Sequence, residues 1–163
     1  MIEIRPIQPE EWNTAKQVFY HVAHVVFKER LPLDEYIAYH ETRGDVKDMD
    51  DIEKNYFEKG GVFLVLVDDN KVIGMGAIRR LEDKVCELKR LWLLFEYQGK
   101  GLGYRMVMEL LRIAREMGYE KIRLETAPVH LKRATALYRR IGFYEIPTYE
   151  TTHPNDIAME LVL

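Results

Sequence analysis

The sequence contains one cysteine, Cys86. No disulfide can close within the chain, and no cluster of thiolates can hold a metal ion. An excess of one charge sign is missing too: the net charge is −3 at pH 7, which argues against a general nucleic-acid binder. No apolar run approaches the roughly 20 residues that span a bilayer. The opening stretch MIEIRPIQPEEW has no apolar core of signal-peptide length. The expected setting is therefore cytoplasmic, with no membrane partner. Internal repeats, low-complexity tracts and linkers are absent as well, so residues 1–163 are expected to form one domain.

What is present is ordinary for a globular chain, with 47% hydrophobic and 31% charged residues, enough for a sizeable core. Ile2 to Ile7 alternates as a short strand ended by Pro6 and Pro9. Trp12, Ala15, Val18, Phe19, Val22, Ala23 and Val26 recur at helical spacing and predict a helix to about Phe27. Leu33 to His40 and Lys47 to Phe57 read as further helical pieces split near Gly44. Val62 to Val67 is a continuous run of β-formers, expected to be a central strand buried on both faces. Asp68 to Lys71 is turn chemistry. Val72 to Ile78 is the next strand, and its Gly74 and Gly76 predict close approach by another element. Val85 to Leu94 is the strand after that. Leu102, Met106, Val107, Leu110, Ile113, Ala114 and Met117 form a helical stripe closed by Gly118. Strands at Lys121 to Thr126, Phe143 to Ile146 and Ile157 to Leu163 surround a shorter helix marked by Ala134, Leu137, Tyr138 and Ile141. The order β-α-α-β-β-β-α-β-α-β-β predicts an α/β (α+β) domain with a mixed, mostly antiparallel sheet.

The chemistry is concentrated from Glu87 to Gly103, ELKRLWLLFEYQGKGLG. An apolar strand leads into a Gly-rich turn that opens onto the best-defined helix. Glycines leave backbone N–H groups uncovered, the first helical turn has N–H groups without partners, and the helix dipole is positive there. Such a junction is a phosphate cradle. Its spacing excludes two common ligands. G-x-G-x-x-G requires Gly or Ala where Tyr104 stands, and G-x-x-x-x-G-K-[ST] occurs nowhere. Q-x-x-G-x-G fits, as Gln98, Gly101 and Gly103. It is followed by A-x-x-L-Y-x-x-x-G-F, as Ala134, Leu137, Tyr138, Gly142 and Phe143. With this pairing the chain resembles the GNAT-type acetyl-CoA-dependent N-acetyltransferases over nearly its whole length.

The resemblance implies a mixed, mostly antiparallel sheet of about seven strands flanked by about four helices. It implies acetyl-CoA as cosubstrate and direct attack by an amine in a ternary complex. In that family the strand before the loop splays from its neighbour and its free backbone groups hold the pantetheine arm, a role that falls here on Leu91, Trp92 and Leu93. The pyrophosphate falls to Gln98, Gly99, Lys100, Gly101, Leu102, Gly103 and Tyr104, with Lys100 and Arg105 as electrostatic support. Tyr138 matches a tyrosine near the CoA sulfur. A phenol of ordinary pKa about 10 is close enough to a thiol, about 8.5 for cysteine, to protonate the departing thiolate. Where many relatives carry asparagine seven residues earlier, this chain has Leu131. Glu87 stands where some relatives place a general base, and it also reads as a strand-end glutamate paired with Lys89 or Arg90. Glu96 and Glu125 are weaker alternatives for the base.

Other candidates read more plainly. His21 and His24 lie one turn apart without a third ligand, so no metal site is expected. His130 and His153 fall in loops that could approach the acceptor site, but the sequence does not place them. Cys86 reads as a small strand residue, since no activating base accompanies it. By the resemblance, the acceptor pocket lies against Pro32 to Gly60. That segment's acidic excess, Asp48, Asp50 and Asp51 included, and its Tyr36, Tyr39, Tyr56 and Phe57 are expected to draw a small cationic or amino-acid-like amine. A non-catalytic acyl-CoA-binding module and an acetyltransferase acting on protein N-termini or lysines are the rival functions, and a homodimer is left open.

Overall fold

A computed structural model describes residues 1–163. Its seven strands are β1 (Ile2–Pro6), β2 (Val62–Asp68), β3 (Lys71–Glu82), β4 (Val85–Leu93), β5 (Lys121–Thr126), β6 (Tyr144–Ile146) and β7 (Ile157–Val162). They form one sheet in the order β1-β2-β3-β4-β5-β7-β6, antiparallel throughout except for the parallel pair β4–β5. The helices are α1 (Trp12–Val26), α2 (Leu33–Arg43), α3 (Ile52–Asn55), α4 (Leu102–Glu116) and α5 (Lys132–Ile141). One more helix is present than the pattern predicts: the second helical piece resolves into the one-turn α3 between two 3-10 turns. Gly44, in the left-handed region with φ 74°, ends α2 where the split is expected. No helix is long and apolar enough to cross a membrane.

β2 is buried along Phe63 to Val67, as its unbroken apolar run requires. α1 and α4 cover opposite faces of the sheet beside it. Trp92 pairs with Met75 across β3–β4 and meets Phe19 of α1, ring centroids 5.1 Å apart. On the other side of β3, a Cβ placed on Gly76 would come within 2.8 Å of Met106 in α4. One on Gly74 would come within 2.8 Å of the Trp92 carbonyl. Both glycines therefore mark close approach, as the strand pattern predicts.

Two features of β4 set the site. Its ladder to β3 slips between Met75 and Ala77, and Arg90 at the slip has φ 57°, a conformation few side-chain-bearing residues adopt. Its ladder to β5 joins only Val85–Glu87 with Lys121–Arg123. Beyond Glu87 the two parallel strands part, and the β5-facing edge of β4 has no ladder partner.

Candidate active site

The parting of β4 and β5 opens the sheet, and two cavities meet in the gap. The larger, about 740 Å³, runs from the Gly-rich turn along Leu91, Trp92 and Leu93. The smaller, about 370 Å³, holds Glu87, Glu125 and Tyr138. Leu91, Trp92, Leu131 and Ala134 line both and form the waist between them.

At the outer end, the turn has the geometry of an anion cradle. Gly99 and Gly101 have φ 76° and 80°, which turns successive amides toward one side. None of the N–H groups of Gly99, Lys100 and Gly101 donates to backbone or side chain. Those of Leu102, Gly103 and Tyr104 are the first-turn donors of α4. Gln98 fastens the turn to its strand, Nε2 donating to the Leu93 carbonyl at 2.9 Å. A Cβ on Gly101 would meet nothing within 4 Å, so this residue faces the open cavity. Gly103 packs α4 on α5, 3.6 Å from Leu137 by the same construction.

The cations that line the larger cavity are not Lys100 and Arg105. The Lys100 ammonium sits over the Tyr97 ring, 5.6 Å from its centroid, and neither Lys100 nor Arg105 lines the cavity. Lys132, Arg133 and Arg140 of α5 do. Arg133 also reaches to 3.3 Å from the Cβ position of Gly99. Leu102 contributes only its backbone, since its side chain is buried in the core. Lys132 and Arg133 are visible in the sequence as a basic pair directly ahead of the A-x-x-L-Y stretch, and Arg140 follows it. Nothing local shows that the helix start faces the loop.

In the smaller cavity, Tyr138 is buried, and burial alone lifts its phenol well above the ordinary value. That widens the expected near-match to a thiol: the phenol stays protonated across the neutral and mildly alkaline range and is a hydrogen-bond donor first. Glu87 sits at the apex of the splay, 4% exposed. Its Oε2 accepts from the Tyr149 hydroxyl at 2.7 Å, and its Oε1 lies 3.7 Å from Lys89 Nζ and 3.9 Å from Arg79 Nε. Lys89 is thus a partner as expected, but Arg90 is not; it belongs to Asp48. Glu125 is occupied too, accepting three backbone N–H groups from residues 149, 150 and 151. Glu96 lies on the surface near Lys71 and lines neither cavity. The Cys86 thiol is pushed up to about 12 by burial, which leaves it protonated and unreactive.

The structure does not bring Pro32 to Gly60 to either of these cavities. Several of the segment's charges are paired within the protein: Asp48 accepts from both Nε (3.1 Å) and an Nη (2.6 Å) of Arg90. Asp50 and Glu41 pair with Lys16, and Asp51 caps α3 by accepting from Lys54 N at 3.0 Å. Tyr36 and Tyr56 are buried, and Tyr39 lies under Arg43. The segment is a packed cap on the sheet. The histidines pack as well: His21 lies against Phe95, and His24 contacts the Leu31 carbonyl at 2.6 Å. His130 lies against Phe27 and borders the larger cavity, whereas exposed His153 stays in its loop. No group of three metal-ligating side chains is present.

Comparison with known proteins agrees with this geometry. The sequence model described as the Acetyltransferase (GNAT) family matches residues 29–143. The uncharacterized N-acetyltransferase YjgM of Escherichia coli (strain K12) is 35% identical over 101 residues, which is 60% of this chain and 60% of that protein. Human N-acetyltransferase 8 is 37% identical over 102 residues, 59% of this chain and 44% of that protein. The chain thus aligns with about half the length of these relatives. In fold, it is similar to the PaiA N-acetyltransferase from Thermoplasma acidophilum, solved in complex with coenzyme A, with a TM-score of 0.82 and 24% identity over 100% of this chain and 99% of that one. A family match that runs through the opened strands, the Gly-rich turn and the helix bearing Tyr138 settles the kinship: this chain belongs to the GNAT acetyltransferase family.

Proposed function

We propose that the chain transfers an acetyl group from acetyl-CoA to a primary amine, most simply that of a small molecule, by direct attack in a ternary complex. The carrying observation is the continuity of three parts: an anion cradle at α4, an unpaired strand edge along β4, and a polar cavity beyond the waist. That succession suits a ligand with a diphosphate at one end, an amide-bearing arm in the middle and a reactive thioester at the other. The Thermoplasma neighbour, a coenzyme A complex on the same fold, supports this choice.

In this reading, the N–H groups of residues 99–104 and the α5 cations hold the diphosphate. Backbone groups of Leu91, Trp92 and Leu93 take the arm by adding it as a strand-like partner and donate to the thioester carbonyl as charge develops there. The amine occupies the smaller cavity, where Glu87 takes its proton directly or through water. Tyr138 donates to the departing sulfur. Leu131, in place of asparagine, gives the waist an apolar contact instead of a side-chain amide. The test is thiol release from acetyl-CoA against a panel of free amines, amino acids and peptides, with the acceptor's mass followed in parallel. Thiol release matched by an acetylated small amine supports the reading. Acetylation of protein N-termini or lysines alone moves the acceptor class, and coenzyme binding without any transfer favours a non-catalytic module.

A further inference from the structure

The link between β6 and β7, residues 147–156, has no regular structure, yet it is fastened to the splay at its middle. Glu125, near the end of β5, accepts the N–H groups of Tyr149 (3.1 Å), Glu150 (3.2 Å) and Thr151 (2.9 Å). Three consecutive amides on one carboxylate fix the backbone of that segment, because charge-assisted bonds are about twice as strong as neutral ones. The fastening turns the Tyr149 ring inward, and its hydroxyl donates to Glu87 Oε2 at 2.7 Å. Glu150 and Thr151 then form part of the wall of the smaller cavity. The two oxygens of Glu87 are thereby made unequal. One is held by the phenol, and the other faces Lys89 and Arg79. Burial and the Glu87 charge keep the Tyr149 phenol protonated well past its ordinary range, so the donor persists at any working pH.

We infer that Tyr149 is a positioning residue that aims the Glu87 carboxylate, and that Glu125 holds the 149–151 strap from which it does so. This rests on the acetyl-transfer reading, with Glu87 as the base.

The test is a double-mutant cycle on the whole chain with Tyr149→Phe and Glu87→Gln, read as kcat and as KM for each substrate. Tyr149→Phe keeps the ring and removes only the hydroxyl. Loss of a hydrogen bond to a charged group is expected to lower kcat about 10- to 100-fold, with KM for acetyl-CoA unchanged. In the Glu87→Gln background, the same change is expected to cost less than about twofold, because the group it aims is gone. Glu125→Gln, which cannot accept all three N–H groups, is expected to raise KM for the amine and leave that for acetyl-CoA alone. Wild-type kcat in Tyr149→Phe, or losses that multiply across the cycle, overturns the inference while acetyl transfer stands. A wild-type protein that releases no thiol with any amine overturns both.

Discussion

Tyr138 lines the smaller cavity, and its burial pushes its ionisation upward. A phenol held that far above a thiol gives up its proton less readily than a matched acid, but it remains a strong donor to a thiolate. Tyr138→Phe is therefore expected to lower kcat about 10²-fold, at the low end of acid–base effects, with KM for acetyl-CoA nearly constant. A Phe variant with full turnover assigns the tyrosine to packing. The places of Tyr138, Gln98 and the three loop glycines beside the cavities were legible in the sequence because each belongs to a short motif of fixed spacing. Tyr149 was not, since its partner Glu87 lies 62 residues away and only the sheet brings them together. The same holds for Arg133, whose reach to the loop depends on how α5 packs on α4 through Gly103.

At the scale of elements, the strand and helix order follows the apolar periodicity closely, because each element presents one well-marked face. The splay and the slip in β4 could not be read this way, since both are failures of pairing and pairing is not local. Arg90 is the clearest case. Its left-handed conformation costs about 1–3 kcal/mol, offset by Asp48, by the Asp45 carbonyl at 3.3 Å and by the Phe19 ring at 5.1 Å. The segment before β2 thus holds the reactive strand in shape from the far side. Asp48→Asn leaves a half-buried guanidinium without its counter-charge and is expected to destabilise the fold by about 1.5–3 kcal/mol in urea unfolding. The amine KM of the variant, measured where it remains folded, is expected to be unchanged. A raised amine KM at full stability restores the acidic segment as the acceptor site.

For the whole molecule, the same pair sets a pH dependence. Burial alone raises the Asp48 pKa, but the hydrogen bonds and charge of Arg90, with Tyr56, hold it below the ordinary value. A depressed carboxylate contributes stability that is present above its unfolded pKa of about 3.9 and is lost as pH falls through the folded value. Asp48→Asn should flatten that acid limb. Ligand adds a second coupling, because a coenzyme that binds only the folded chain stabilises it by about 2.7 kcal/mol at a hundred times its Kd. Acetyl transfer, the role of Tyr138 and the work of the strap all require a CoA thioester lying from the Gly-rich turn along β4. Calorimetric titration of acetyl-CoA, CoA and NAD into the wild-type chain and into Gly101→Glu tests this directly. The substituted side chain points into the cavity, adds a carboxylate to the anion cradle and strains a φ of 80°, a local cost the fold can bear. The account predicts that wild type binds acetyl-CoA and CoA but not NAD, and that Gly101→Glu, still folded by circular dichroism, binds neither coenzyme measurably. Equal affinity for acetyl-CoA in the two proteins contradicts it.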